Sequence, residues 1–400
     1  MLVKTISFLN SKLFLLYLLI TAVFLRFEAI FGANRTIIFR IYLITLFIVV
    51  LYQLFLKGVP RKALIMLLLA MSYSVIMSVV WVDYLDGGIL DVIRYFLHFL
   101  FFISPFYIAY SFNKSDFNIG ISDFKKVAFG SLLTSLILAG IETYFRFFES
   151  SKILVLKGGY DIDRVESGIS MGLSTSNFYS FKYASFMFTD SNGLAIILVS
   201  LLALTLVLKF RILSIFSCVL IFLTLSRSAY LGAFLTFFIY LLFFNSSLKA
   251  SLKISLLLVF SSLSLVAFYL MIISITSFND GSLTTKFDIL ASLSKVGFVN
   301  LKELIFGFGI DHGNYVYSPG ENYYAHILFA LTLGQVGLLG TTLYLMLIIY
   351  LCYCYSFKLV ILFFVPFLFM GLSLASPWEP APFVYLLVAY YATRNQEPLA

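Results

Sequence analysis

Apolar runs of spanning length, separated by short charged or Gly/Pro-rich breaks, recur along the whole chain. They predict helices near 12–31, 36–56, 63–82, 92–112, 127–147, 190–208, 212–225, 228–245, 254–276, 338–357, 359–375 and 381–393, because about 20 apolar residues cross a bilayer. The expected fold is all-α, a single polytopic membrane domain over residues 1–400 with about twelve transmembrane helices. Two polar segments interrupt the rhythm, 149–189 and 277–337. Both are too long to be simple connectors, and long loops on a rigid scaffold usually carry function.

Tyr323 to Phe357 is nearly uncharged, and as one helix it would measure about 52 Å, far more than the roughly 30 Å hydrocarbon core. Gly334, Gly337 and Gly340 offer places to break it. The expectation is a first piece, Glu321 to Leu333, lying at the outer interface and carrying His326, followed by a spanning piece.

Composition agrees with a membrane protein: 62% of the 400 residues are hydrophobic and 12% charged, against about 45–50% and 25% in soluble domains. A water-soluble enzyme is excluded. The charge of +8 is scattered over short loops, so no basic face is left for nucleic acid. Lys4, Lys12, Lys57, Arg61, Lys62, Lys114, Lys125, Lys126, Lys209, Arg211, Lys249, Lys253, Lys358 and Arg394 share one set of loops and tails with only Asp116, Asp123 and Glu397. The positive-inside rule makes that side, with both termini, cytoplasmic. The two long segments then face outward.

Few motifs for other chemistries appear. Cys218, Cys352 and Cys354 lie within or beside apolar runs, unsuited to a disulfide or zinc site. No nucleotide loop, HExxH or GxSxG occurs. Asp161, Asp163 and Glu166 resemble the start of a calcium loop, but Glu166 and Gly172 occupy the positions where glycine and glutamate are required. No metal or cofactor is expected.

The remaining chemistry sits at outward helix ends. Arg227 stands at the tip of a tight hairpin, where its planar fork suits a diphosphate. In Thr189-Asp190-Ser191-Asn192, Asp190 or Ser191 is placed to cap the helix that follows. Glu321 and His326 are candidate bases, with His312 a further one. Arg94, Arg146, Lys152, Lys157, Lys286, Lys295 and Lys302 read as solvated outward charges, whereas Arg164 and Lys182 are placed to assist an anion. Tyr315, Tyr317, Tyr323 and Tyr324 are placed to stack on sugar rings. These groups are expected to converge on one outward site.

Four stretches, Thr189-Asp-Ser-Asn-Gly-Leu-Ala195, Leu223-Thr-Leu-Ser-Arg-Ser-Ala229, Gly307-Phe-Gly309, and Glu321-Asn-Tyr-Tyr-Ala-His326 ahead of Gly334-Gln-Val-Gly337, resemble the O-antigen polymerase and ligase family over about residues 185–345. The resemblance implies a metal-independent, inverting membrane glycosyltransferase acting on undecaprenyl-diphosphate-linked oligosaccharide at the periplasmic face of a bacterial inner membrane, with a chain-length regulator as a partner. It implies donor binding by Arg227 with Arg164 or Lys182, orientation by Asp190 and Asn192, sugar stacking by Tyr324, and a base among Glu321, His326 and His312. The family's ligases place a histidine, often followed by asparagine, just before the glycine-containing helix. Here Glu321-Asn322 comes first, which favours polymerase over ligase to lipid A-core. A lipid-linked oligosaccharide flippase is the reading from another class.

Overall fold

The computed structural model describes residues 12–24, 120–157, 176–188, 190–245, 281–310, 312–318, 324–372 and 376–394, with short stretches around 72–81, 248–262 and at 320. Among these residues the regular structure is helical and contains no strand. The helices expected at 36–56, 63–82, 92–112 and the latter part of 254–276 fall largely outside the described residues.

The order is α1 (Lys12–Ala22), α2 (Ile121–Phe148), α3 (Ser150–Lys157), α4 (Ser176–Tyr183), α5 (Ser191–Val207), α6 (Arg211–Leu223) and α7 (Arg227–Phe243). It continues with α8 (Gly281–Ser292), a 3-10 turn (Leu293–Phe298), α9 (Leu301–Phe306), α10 (Gly313–Val316), α11 (Leu328–Cys354), α12 (Phe357–Met370) and α13 (Ala381–Arg394). Helices α2 and α11 are each long and apolar enough to cross a membrane.

Helix α5 is the centre. Fifteen of its 17 residues are buried, so it has no outward face, as its nearly unbroken run of Leu, Ile, Val and Ala requires. Helices α2, α6, α7, α12 and α13 pack around it. The surrounding helices invert the soluble pattern: on α2, Ser131, Ser135 and Thr143 are buried while Phe129, Leu133, Ile137 and Ile141 are exposed. On α6, Ile212, Ile215, Phe216, Val219 and Phe222 form an exposed apolar face. The buried hydroxyls are satisfied on their own helices, as Ser135 donates to the Ser131 carbonyl at 3.0 Å and Thr143 to that of Ala139 at 2.8 Å. Exposed apolar area on this scale marks a surface made for an apolar surrounding or partner.

The connectors are short and conformationally demanding. Between α5 and α6, Lys209 adopts φ 61°, and the amides of Lys209 and Phe210 bond the Leu206 and Thr205 carbonyls at 3.0 and 2.9 Å, the usual closure of a helix by a left-handed residue. A side chain pays about 1 kcal/mol or more for that conformation. Lys209→Gly is therefore expected to raise the thermal midpoint by a few degrees, read by the unfolding of purified protein.

Helix α11 breaks at Gly337 (φ 64°, ψ −168°), one of the three glycines at which the sequence allows a break. Its first piece corrects one expectation. It begins at Leu328, not Glu321, because the Ala325 amide bonds the Asn314 carbonyl at 2.7 Å and Ile327 is extended, leaving His326 on a non-helical strap. Within the piece, Leu328 and Ala330 to Val336 are buried. Ile289, Tyr317, Ala325 and Ile327 from the second long segment pack over this piece.

The break is held open by a glycine clasp. With Gly337 out of helical geometry, the carbonyls of Gly334 and Gln335 instead accept the amides of Phe308 and Gly309, at 2.8 and 3.1 Å. Backbone meets backbone: a Cβ on Gly334 would overlap the Gly313 carbonyl oxygen, and one on Gly307 (φ 76°) would lie 2.6 Å from the Gly337 nitrogen. Only glycine permits that approach.

Candidate functional site

Helix directions gather the ends of α1, α2, α6 and α12 with the starts of α5, α7, α11 and α13 at one end of the bundle. Lys12, Lys125, Lys126, Arg211, Lys358 and Arg394 fall at the other end. The polar network is at the first end.

Its floor is the start of α5. Asp190 is 3% exposed and takes the N-cap position in extended geometry; its Oδ1 accepts the amides of Asn192 and Gly193 at 2.9 and 3.1 Å. Two of the four amides a helix start leaves unpaired are thereby satisfied. Its Oδ2 accepts from the Asn192 side chain at 3.2 Å, and Asn192 Oδ1 in turn accepts from the Ser226 hydroxyl at 2.7 Å. Ser226 caps α7 through the Ala229 amide at 3.4 Å. Two stretches separated by 34 residues are thus joined through buried side chains.

Arg227 is the first residue of α7. Its backbone is positioned by the Ser226 cap, and its side chain is exposed. Leu225 holds φ 55° in the hairpin, where Thr224 Oγ1 bonds the Ile221 carbonyl at 2.7 Å and receives the Ser226 amide at 3.3 Å. A three-residue connector leaves little freedom, so the turn fixes where Arg227 begins.

Against this floor lies the end of α2, where Glu142 and Arg146 are each 0% exposed. Arg146 was expected among the solvated charges; burial between α2 and the α6–α7 hairpin corrects that. Its Nη2 donates to the Leu223 carbonyl, and Glu142 and Asp190 supply the nearby negative charge. Glu142 accepts from the Ser185 hydroxyl through Oε1 and from the Met187 amide through Oε2 at 3.2 Å. The strand of chain entering α5 is therefore pinned to α2. Ile153 and Leu154 of α3 pack with Tyr183 at the end of α4 alongside, and Lys182 is half-buried there.

The second long segment forms the other wall. His326 is half-buried, and its Nδ1 lies 3.1 Å from the Tyr324 carbonyl oxygen. A carbonyl only accepts, so Nδ1 carries the proton and Nε2 is left with the lone pair. Burial first, with Lys286 and Lys182 acting in the same sense, lowers its proton affinity below the ordinary value of 6.5; the Tyr324 carbonyl and Asp190 oppose the shift. The imidazole is therefore neutral at pH 7.

Tyr324 is exposed beside it and meets Tyr315 edge to face, with ring centroids 6.1 Å apart. His312, at the start of α10, is exposed. Behind the wall, Gln335 ties the break in α11 to its surroundings: its Nε2 donates to Asn314 Oδ1 and its Oε1 accepts from Trp378 Nε1, both at 2.6 Å.

The structure thus joins Asp190 and Asn192 to the Ser226–Arg227 turn, with Lys182 half-buried at the end of α4 and His326 on the strap before α11. Glu321 and Arg164 lie outside the described residues. Glu142 and Ser185 were not named from sequence, Arg146 was read only as a solvated charge, and Ser226 and Gln335 appeared only within the quoted stretches. The available signal for Glu142 and Arg146 was an acid and a base four residues apart in the last turns of an otherwise uncharged apolar run. Chemically, the arrangement offers a neutral imidazole acceptor, basic groups and an exposed aromatic pair. Comparison with family models, curated protein sequences and solved structures finds no match.

Proposed function

We propose that the chain is an O-antigen-type polymerase of the bacterial inner membrane, with about twelve spans, both termini cytoplasmic and its site periplasmic. It moves a growing glycan from undecaprenyl diphosphate to a hydroxyl of a newly delivered lipid-linked repeat. The observation that carries this reading is pairwise convergence. The Asp190–Asn192 stretch bonds the Ser226–Arg227 stretch, and the Gly307–Gly309 stretch bonds the Gly334–Gly337 stretch. The exposed apolar belt supports a membrane setting.

In this reading His326 Nε2 takes the proton from the acceptor hydroxyl as the new glycosidic bond forms. The bond to the carrier breaks with inversion, and the diphosphate leaves with its electron pair. Arg227, with Lys182 and Arg164, stabilises that departing charge. Asp190 and Asn192 hold the α5 and α7 starts in register, and Tyr324 offers a face to a sugar ring. A carrier already activated by diphosphate needs no nucleotide site. The acceptor is a second lipid-linked unit and chain length is set with a regulator protein.

Purified protein in proteoliposomes with lipid-linked repeats tests the assignment. Arg227→Ala is expected to lower elongation at least about 100-fold, the scale for removing one donor that stabilises developing charge. Elongation at the full rate would remove Arg227 from the mechanism. Products formed only when lipid A-core is added would indicate a ligase, and translocation without chain growth a flippase.

A further inference from the structure

We propose that Arg146 is a second, buried oxyanion site, built to take a phosphate-type group. Its side chain is fully buried, yet Nε and Nη1 have no hydrogen-bond partner. Those two atoms carry three of the five guanidinium donors. A buried charge left in that state is costly unless an acceptor arrives.

The neighbouring carboxylates do not supply one. Both Glu142 oxygens are engaged, by the Ser185 hydroxyl and the Met187 amide, and both Asp190 oxygens are engaged at the start of α5. These acids offset the charge of Arg146 at a distance without filling its donors. Meanwhile Nη2 is anchored on the Leu223 carbonyl, at the root of the hairpin that presents Arg227. The guanidinium is thus fixed on one nitrogen and lacks an acceptor on the other two, and its planar fork suits a phosphate oxygen. Occupancy would also couple the anion to the hairpin, since the same group holds Leu223. The identification of the anion as the diphosphate of a lipid carrier rests on the polymerase reading; the site itself does not.

The test is ligand-induced thermal stabilisation of the full chain in lipid nanodiscs, with inorganic pyrophosphate, an isoprenoid diphosphate or added phosphatidylglycerol as probes. Pyrophosphate is expected to raise the wild-type midpoint by several degrees, and Arg146→Lys, which keeps the charge but not the fork, to weaken it at least about tenfold. Glu142→Gln, which removes a competing negative charge, is expected to tighten binding several-fold, and it remains informative should the Arg146 variant not fold. Pyrophosphate binding unchanged in both variants would overturn the site. Stabilisation by phosphatidylglycerol that is lost in Arg146→Lys would keep the site and assign it a lipid phosphate, whereas phosphatidylglycerol stabilisation indifferent to Arg146 would overturn it. Binding through Arg146 in a protein that elongates no glycan would keep the site and remove the polymerase reading, whereas elongation with pyrophosphate binding indifferent to Arg146 would do the reverse.

Discussion

Gly334→Ala is expected to prevent the chain from reaching its native packing, at a cost of about 3–5 kcal/mol or more, the range reserved for changes that disrupt a core or a strained backbone. The added methyl would enter the Gly313 carbonyl oxygen, and neither neighbour is a side chain able to rotate away. The clasp would have to open, and the Gly334 and Gln335 carbonyls would lose the Phe308 and Gly309 amides that now satisfy them. Inside a buried segment, each lost bond costs a further desolvation penalty. Gly130→Ala is the control: it lies within α2, where an added Cβ meets nothing within 4 Å, so it is expected to be neutral or slightly stabilising. Thermal unfolding and the yield of monodisperse protein distinguish the two. Equal stability of Gly334→Ala and Gly130→Ala would contradict the clasp.

The second large effect concerns chemistry. His326→Ala is expected to lower the elongation rate about 10²- to 10⁴-fold, the usual contribution of a positioned base, with little change in thermal stability because, among the described residues, the ring's hydrogen bond is to the Tyr324 carbonyl two residues away. The pH profile gives an independent check. A base acts only when deprotonated, and burial lowers the proton affinity of this imidazole below 6.5. The rate should therefore be flat through neutrality and fall on the acid side only below that value. An acid limb centred above 6.5, or a His326→Ala protein with an unchanged rate, would move the base elsewhere, with Glu321 and His312 the next to replace.

Sequence carried the local features of this architecture well. The α5–α6–α7 hairpins follow from apolar runs cut by Lys209–Arg211 and Thr224–Ser226, and the Asp190 cap follows from a carboxylate placed just before an apolar run. A break among Gly334, Gly337 and Gly340 was legible because an unbroken helix of that length exceeds the hydrocarbon core, but which of the three glycines breaks it was not. What was lost is the part that depends on partners far along the chain. The piece from Leu328 to Val336 reads the same whether its faces meet lipid or protein; the cover that Tyr317 and Ile289 give it comes from residues distant in sequence. Arg146 reads as an ordinary basic residue until the Leu223 carbonyl and Glu142 are placed around it. His326 lay on an expected helix, and a single bond from Ala325 to the Asn314 carbonyl drew the chain into an extended strap instead.

The central claim is that this site lengthens a glycan on a lipid carrier. Its most direct measurement is the surface polysaccharide of cells lacking the gene, resolved by gel and complemented with wild-type or His326→Ala protein. Polymerase action predicts a ladder collapsed to core plus one repeat, restored by the wild-type chain and not by the variant. Loss of every repeat, or a ladder unchanged by the deletion, would contradict it.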